Sequence, residues 1–308
     1  YHSQDSVPSF INDYYVGLMD ATPKETRWVF SHGDRIPFVN FTDLPYTPWS
    51  DNKYYPAFGI PSPLLMSWPD IYFHSNLLSA DMLDPMVFRR CGITTALAAL
   101  ELAYAGPDEA QDIMREVAAR SQMRLSRIAL DARRSGYTPM ARRRLTHIAK
   151  RDQRAVESAL VLAGPEERRD AGDLANTIER LQKEIRDKLE QVLTWLPQGE
   201  SGSPEFGPGE VVPRRLVERD APGLAGTNYF ELVQMAEDMH IRDSKMKYDS
   251  LRIIGDEMWN YVDGQRTVNQ ISEAIGAEFD FDLDASHILM LFQGLASQGY
   301  VSLEDAAG

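Results

Sequence analysis

The sequence predicts three architectures in succession: an α/β piece, an α-helical hairpin, and a small, mostly helical winged-helix-like domain. Three observations lead there. Short apolar runs broken by proline and aromatic residues fill residues 1–106, helical periodicity without strand signals fills 107–197, and capped helices followed by a short apolar run fill 213–308. The Gly-, Ser- and Pro-containing stretch 198–212 reads as a linker.

In the first segment, Pro8 to Leu18 reads as a helix entered through Ser6 or Ser9, whose hydroxyls can accept from the open backbone N–H groups of a first turn. Arg27–Phe30, Pro37–Val39 and Pro63–Met66 are apolar enough and short enough for strands. They are too few for a complete α/β domain. Asp84-Pro85 then sets a cap and a first-turn proline before an alanine-rich run, Met86 to Tyr104, that stops at Gly106-Pro107. Its composition predicts a mostly buried helix.

The middle segment predicts a helix from Asp108 to Arg134, broken at Ser135-Gly136. A second starts at Thr138-Pro139 and stops at Gly164-Pro165. A third carries Leu174, Ile178, Leu181, Ile185, Leu189, Val192 and Leu196, spaced three and four apart like a coiled-coil seam. Two long helices joined at Gly164-Pro165 make an antiparallel hairpin, whose seam can pair within the chain or, through residues 139–196, between subunits of a homo-oligomer.

In the last segment, Asn228 with Glu231 marks a capping box for a helix through His240, and Lys247 to Val262 forms a second helix closed by Asp263-Gly264. Thr267 with Gln270 opens a third helix burying Val268, Ile271 and Ile275. Asp284 opens a fourth, with Ile288, Leu291, Phe292 and Leu295 on one face. Gly299 to Leu303 reads as a terminal strand.

Charge divides the chain in the same places. Of 308 residues, Lys and Arg number 32 and Asp and Glu 46, a formal net charge of −14. Residues 111–160 nevertheless hold 12 basic against 5 acidic side chains, and from Thr267 onward there are 7 acidic residues and no Lys or Arg. The Arg142-Arg143-Arg144 run with Lys150, Arg151 and Arg154 is a candidate nucleic-acid or acidic-partner patch, but reads first as a solvated helix face that pairs with this chain's own acidic regions. Nucleic acid is not an expected partner: the predicted recognition helix, Asp284 to Ser297, has no basic side chain for phosphate. No apolar run reaches the 18 residues a membrane span needs. One cysteine, Cys91, excludes a disulfide framework within the chain. A first residue of Tyr1 suggests a piece of something longer.

Candidate chemistry gathers before the alanine-rich helix. His74 follows Asp70, Tyr72 and Phe73 at the end of a predicted strand, where a neutral imidazole can ligate a metal or simply pack among aromatics. The order Ser50-Asp51-Asn52, Phe58-Gly59-Ile60-Pro61, Trp68-Pro69-Asp70, Tyr72-Phe73-His74-Ser75 and Asp81…Asp84-Pro85 resembles family twenty-eight of the metallopeptidases, the two-zinc aminopeptidases and their carboxypeptidase relatives. Ser6 to Asp13 is also similar to a helix of that family, and the resemblance covers roughly residues 1–105.

The resemblance implies a partial zinc-exopeptidase-like sheet. It puts His74 on the last zinc-ligand position and Asp51, Asp70 and Phe73 around the metal pocket, with Tyr72 as a displaced candidate for the catalytic tyrosine. It also implies two zinc ions and a peptide substrate in a parent protein whose upstream half supplies the other ligands and the general base. A secreted or periplasmic setting goes with the family. By the same comparison this chain is no competent peptidase alone, since one imidazole cannot hold two ions. Three positions depart from the pattern: Phe73 stands for the usual tyrosine, Leu78 for an aspartate and Asn52 for a histidine. Those departures support the alternative, a non-catalytic structural or protein-binding scaffold on the same fold. The C-terminal module, through Trp259–Gly264, Arg266–Val268 and Gly299–Val301, resembles winged-helix-like appendages of such proteins.

Overall fold

The computed structural model describes residues 3–22, 25–27, 35–37, 41–48, 50–66, 75–77, 79–82, 84–135, 139–165, 172–196, 210–216, 255–280 and 283–305. Among them the chain is mostly helical, with two small antiparallel two-stranded sheets. Helix α1 spans Phe10–Ala21, and its entry is Ser9, whose side chain accepts from Ile11 N at 3.2 Å. Strands β1 (Glu25–Arg27) and β2 (Arg35–Pro37) pair with each other; they include Arg27 and Pro37 of the predicted runs, whose other residues lie outside the described ones. Leu64 makes only an isolated bridge in place of a strand.

Helices α2 (Pro85–Tyr104), α3 (Pro107–Ser135), α4 (Pro139–Ser158) and α5 (Gly172–Leu193) follow the predicted helices within a residue or two at most ends, though α4 gives way to a 3-10 turn, Ala159–Leu162. Asp84 caps α2 by accepting from Met86 N at 2.8 Å. The hairpin of α4 and α5 gains a third helix, because α3 packs against both. Small residues make that approach possible: Ala110, Ala118, Ser121 and Ala129 alternate with Met114, Val117 and Leu125 along one buried stripe of α3. The seam residues Leu174, Leu181, Ile185 and Val192 of α5 are buried in this same core, so the heptad-like pattern is satisfied within one chain. Phe10 and Tyr14 of α1 join it, carrying the core across residue 106.

The C-terminal module has a separate core. Val211–Arg215, of which the first two residues fall in the predicted linker, form β3 and pair with β4 (Val301–Asp305), Val211 opposite Asp305 and Arg215 opposite Val301. The adjacent β-branched pair Val211-Val212 outweighs the linker-like composition just before it. Pro213 is tolerated because a two-stranded sheet has only edges. Helical residues 255–260 (α6), α7 (Val268–Phe279) and α8 (Ala285–Ser297) close over the sheet, burying Met258, Trp259, Ile271, Ile275, Phe292 and Leu295. The capping box at Thr267 and Gln270 is present in both directions, at 3.2 and 3.0 Å. The predicted helix from Asn228 lies outside the described residues.

The bundle core carries the stability. Leu145 on α4 is fully buried, so Leu145→Ala removes its contacts and leaves a cavity where α3, α4 and α5 converge. A loss of about 3 kcal/mol is expected, measured as a shift in the urea midpoint with an unchanged denaturant slope.

Candidate functional site

Of the residues the sequence singles out, Asp70, Tyr72, Phe73 and His74 lie outside the described residues. Asp51 opens an exposed 3-10 turn, Asp51–Lys53. Its neighbour Asn52 is buried and wholly committed to that turn, accepting from Ser50 N at 3.1 Å and donating to Thr47 O at 3.0 Å. Among the described residues no group of three or more His, Cys, Asp or Glu could hold a metal ion.

Two other features emerge. The first is α2, which is amphipathic in the reverse sense. Its buried positions are Arg90, Thr94 and Ala98, one stripe at a spacing of four. Arg90 donates to Met19 O, Thr94 Oγ1 lies 3.1 Å from Thr22 Oγ1, and Tyr14 donates to Glu101 at 2.6 Å. The helix is thus fastened to α1 largely by its polar side. Phe88, Leu97, Leu100 and Tyr104 face outward, Phe88 72% and Tyr104 84% exposed, alongside exposed Gly92, Ala96, Ala99 and Ala103. The expectation of a mostly buried helix is therefore corrected: the alanine-rich composition marks an apolar face that stays exposed among the described residues.

The second feature is a buried ionic cluster where the N-terminal segment meets the bundle. Arg151 of α4 bonds Asp5 at 2.5 Å and Asp152 at 2.7 Å. Arg124 of α3 reaches Asp13 of α1 at 2.9 Å and Asp152 at 3.2 Å. His147 Nε2 stands 3.4 Å from Asp5 Oδ2. Burial alone would raise Asp5 and Asp152, but the guanidinium of Arg151, joined at Asp152 by that of Arg124, outweighs it and holds both below the usual carboxylate range.

Beside that cluster, two glutamates of the C-terminal module enter the same region. Glu257 accepts from Ser6 N at 3.0 Å and Asn260 Nδ2 at 2.8 Å. Glu278, at the end of α7, accepts from Tyr46 N at 3.3 Å and from the Tyr261 hydroxyl at 3.2 Å. Arg144 of α4 pairs with Asp280 at 2.7 Å, so the basic middle segment does meet the chain's own acidic regions. A shallow groove of about 500 Å³ lies between α3 and α5, but Arg115 and Arg180 on its rim are paired with acids of their own helices.

No family model, curated protein or solved structure matches the chain. The sequence reading missed the ionic cluster because its members lie far apart along the chain. The available signal was Arg124, Arg151 and Asp152 at positions that helical periodicity places on the bundle's inner faces.

Removing Arg151 leaves Asp5 buried without its strongest partner and Asp152 with Arg124 alone. Arg151→Met is expected to cost about 3–5 kcal/mol in urea unfolding, whereas Arg115→Ala, at an exposed pair, leaves the midpoint unmoved. Depressed carboxyls stabilise above their ordinary value and lose that contribution as pH falls. The wild-type midpoint should therefore drop below about pH 4, and the drop should shrink in Arg151→Met.

Proposed function

We propose that this chain is the C-terminal portion of a zinc-dependent aminopeptidase-like protein that hydrolyses N-terminal peptide bonds, and that it braces the catalytic domain without catalysing alone. The observation carrying this reading is the outward apolar face of α2. In the resembling family an Asp-Pro pair opens the domain's last helix, and such a helix packs an apolar, small-residue face against a sheet. Here Asp84-Pro85 opens a helix with that face, turned away from the bundle by the polar stripe at Arg90 and Thr94. The sheet of the remaining peptidase domain is its proposed occupant. His74 is the zinc ligand this chain contributes, while Asp51, Asp70, Tyr72 and Phe73 line the surrounding pocket.

A second reading draws on Asn52. Where the family carries a histidine, this side chain spends both ends of its amide on a local turn. That favours a non-catalytic scaffold that keeps the α2 contact and has given up the chemistry.

Zinc content and aminoacyl-amide hydrolysis of the full-length parent decide between them. The peptidase reading expects bound zinc and turnover, both lost in His74→Ala. Leu100→Asp with Tyr104→Asp should leave this chain's thermal unfolding unchanged while lowering parent activity at least tenfold, as truncating a central contact does. A parent without zinc or turnover, still held together through α2, establishes the scaffold. Retained zinc and activity in His74→Ala removes His74 from the site.

A further inference from the structure

Each hydrophobic core of this chain is closed on itself, yet the seam between them is polar. The seam draws on every element that meets there. The N-terminal segment brings Asp5, the Ser6 N–H, Asp43 and Tyr46; α4 brings Arg144, His147 and Arg151; α6 brings Asp256, Glu257 and Asn260; α7 brings Glu278, with Asp280 just beyond it and Tyr261 and Arg266 alongside. Glu257 and Glu278 are both buried, each held by an N–H donor from the N-terminal segment, and the charge of Glu257 raises Glu278. Two carboxyls buried so near one another do not both stay ionised.

We propose that the Glu257–Glu278 carboxyl pair is a proton-dependent latch: with one proton on the pair, α6 and α7 stay docked on α4 and the N-terminal segment, and its loss to solvent releases them. The backbone N–H groups of Ser6 and Tyr46 are the catches, because each donates across the seam to one member of the pair. Asp5 adds a third negative charge, so full ionisation sets like charges together where little water can screen them.

The sign follows from burial. Desolvation raises Glu278 well above the ordinary glutamate value, with the charges of Glu257 and Asp5 adding to it, and desolvation raises Glu257 as well. A carboxyl raised on docking takes up a proton when the seam closes. The latch therefore holds fully below about pH 4.3 and weakens as pH rises through the docked value. Arg151 keeps its charge throughout, and Tyr46 and Tyr261, both raised chiefly by burial, stay neutral.

The test is backbone hydrogen exchange on the full chain between pH 5 and 9, corrected for intrinsic rates and read at Ser6, Tyr46 and residues 255–305. Wild-type protection at Ser6 and Tyr46 should fall about tenfold per pH unit within the titrating window. In Glu278→Gln the side chain carries no charge at any pH, so protection should stay level. A wild-type profile flat with pH, or Glu278→Gln declining in step with wild type, overturns the latch. So does a pH dependence abolished by His147→Gln and kept in Glu278→Gln. If Glu278→Gln does not fold, Glu257→Gln carries the same comparison.

Discussion

Arg151 reaches from α4 to carboxylates on two different parts of the chain, Asp5 in the N-terminal segment and Asp152 beside it, largely out of contact with water. A buried guanidinium cannot shed its proton, so it must be surrounded by acids. Arg124 repeats the demand from α3 and recruits Asp13 of α1. Between them the two arginines dictate where α1 and the preceding residues lie. Only with those residues in place do the N–H groups of Ser6 and Tyr46 meet the C-terminal module.

Such networks contribute less to stability than their short distances suggest, because both charges were well solvated before folding. What they supply here is direction. A greasy interface between the bundle and the module would accept several registers. A seam in which each carboxylate has particular donors accepts one, and the apolar burial that stabilises the chain is left to the two cores on either side.

Local chemistry made much of this fold legible. Ser9, Asp84, Thr267 and Asp284 cap the helices they were expected to cap, since a cap is read from neighbours in sequence. The stripe from Leu174 to Leu196 announced α5 for the same reason. Pairings at long range were not legible: β3 hid at the end of a linker-like stretch because its partner lies almost at the other end of the module, and Asp5 gave no sign of Arg151. For α2, apolar composition was taken for burial. Composition sets how much surface a helix wishes to cover, whereas Arg90 and Thr94 decide which side faces inward. Of the candidate metal site, Asp51 and Asn52 fall among the described residues, and the imidazole that matters most to it does not.

Strands β3 and β4 stand at opposite ends of the C-terminal module, so everything from Leu216 to Tyr300 lies inside the loop they close. Closing a long loop costs entropy that no contact offsets until its ends meet. On the ribosome the bundle can assemble as soon as α5 emerges, but this sheet must wait for residues 301–305. Synthesis thereby imposes a sequence of events: a rigid platform carrying α4 exists first, and the module matures against it instead of competing with it for apolar partners.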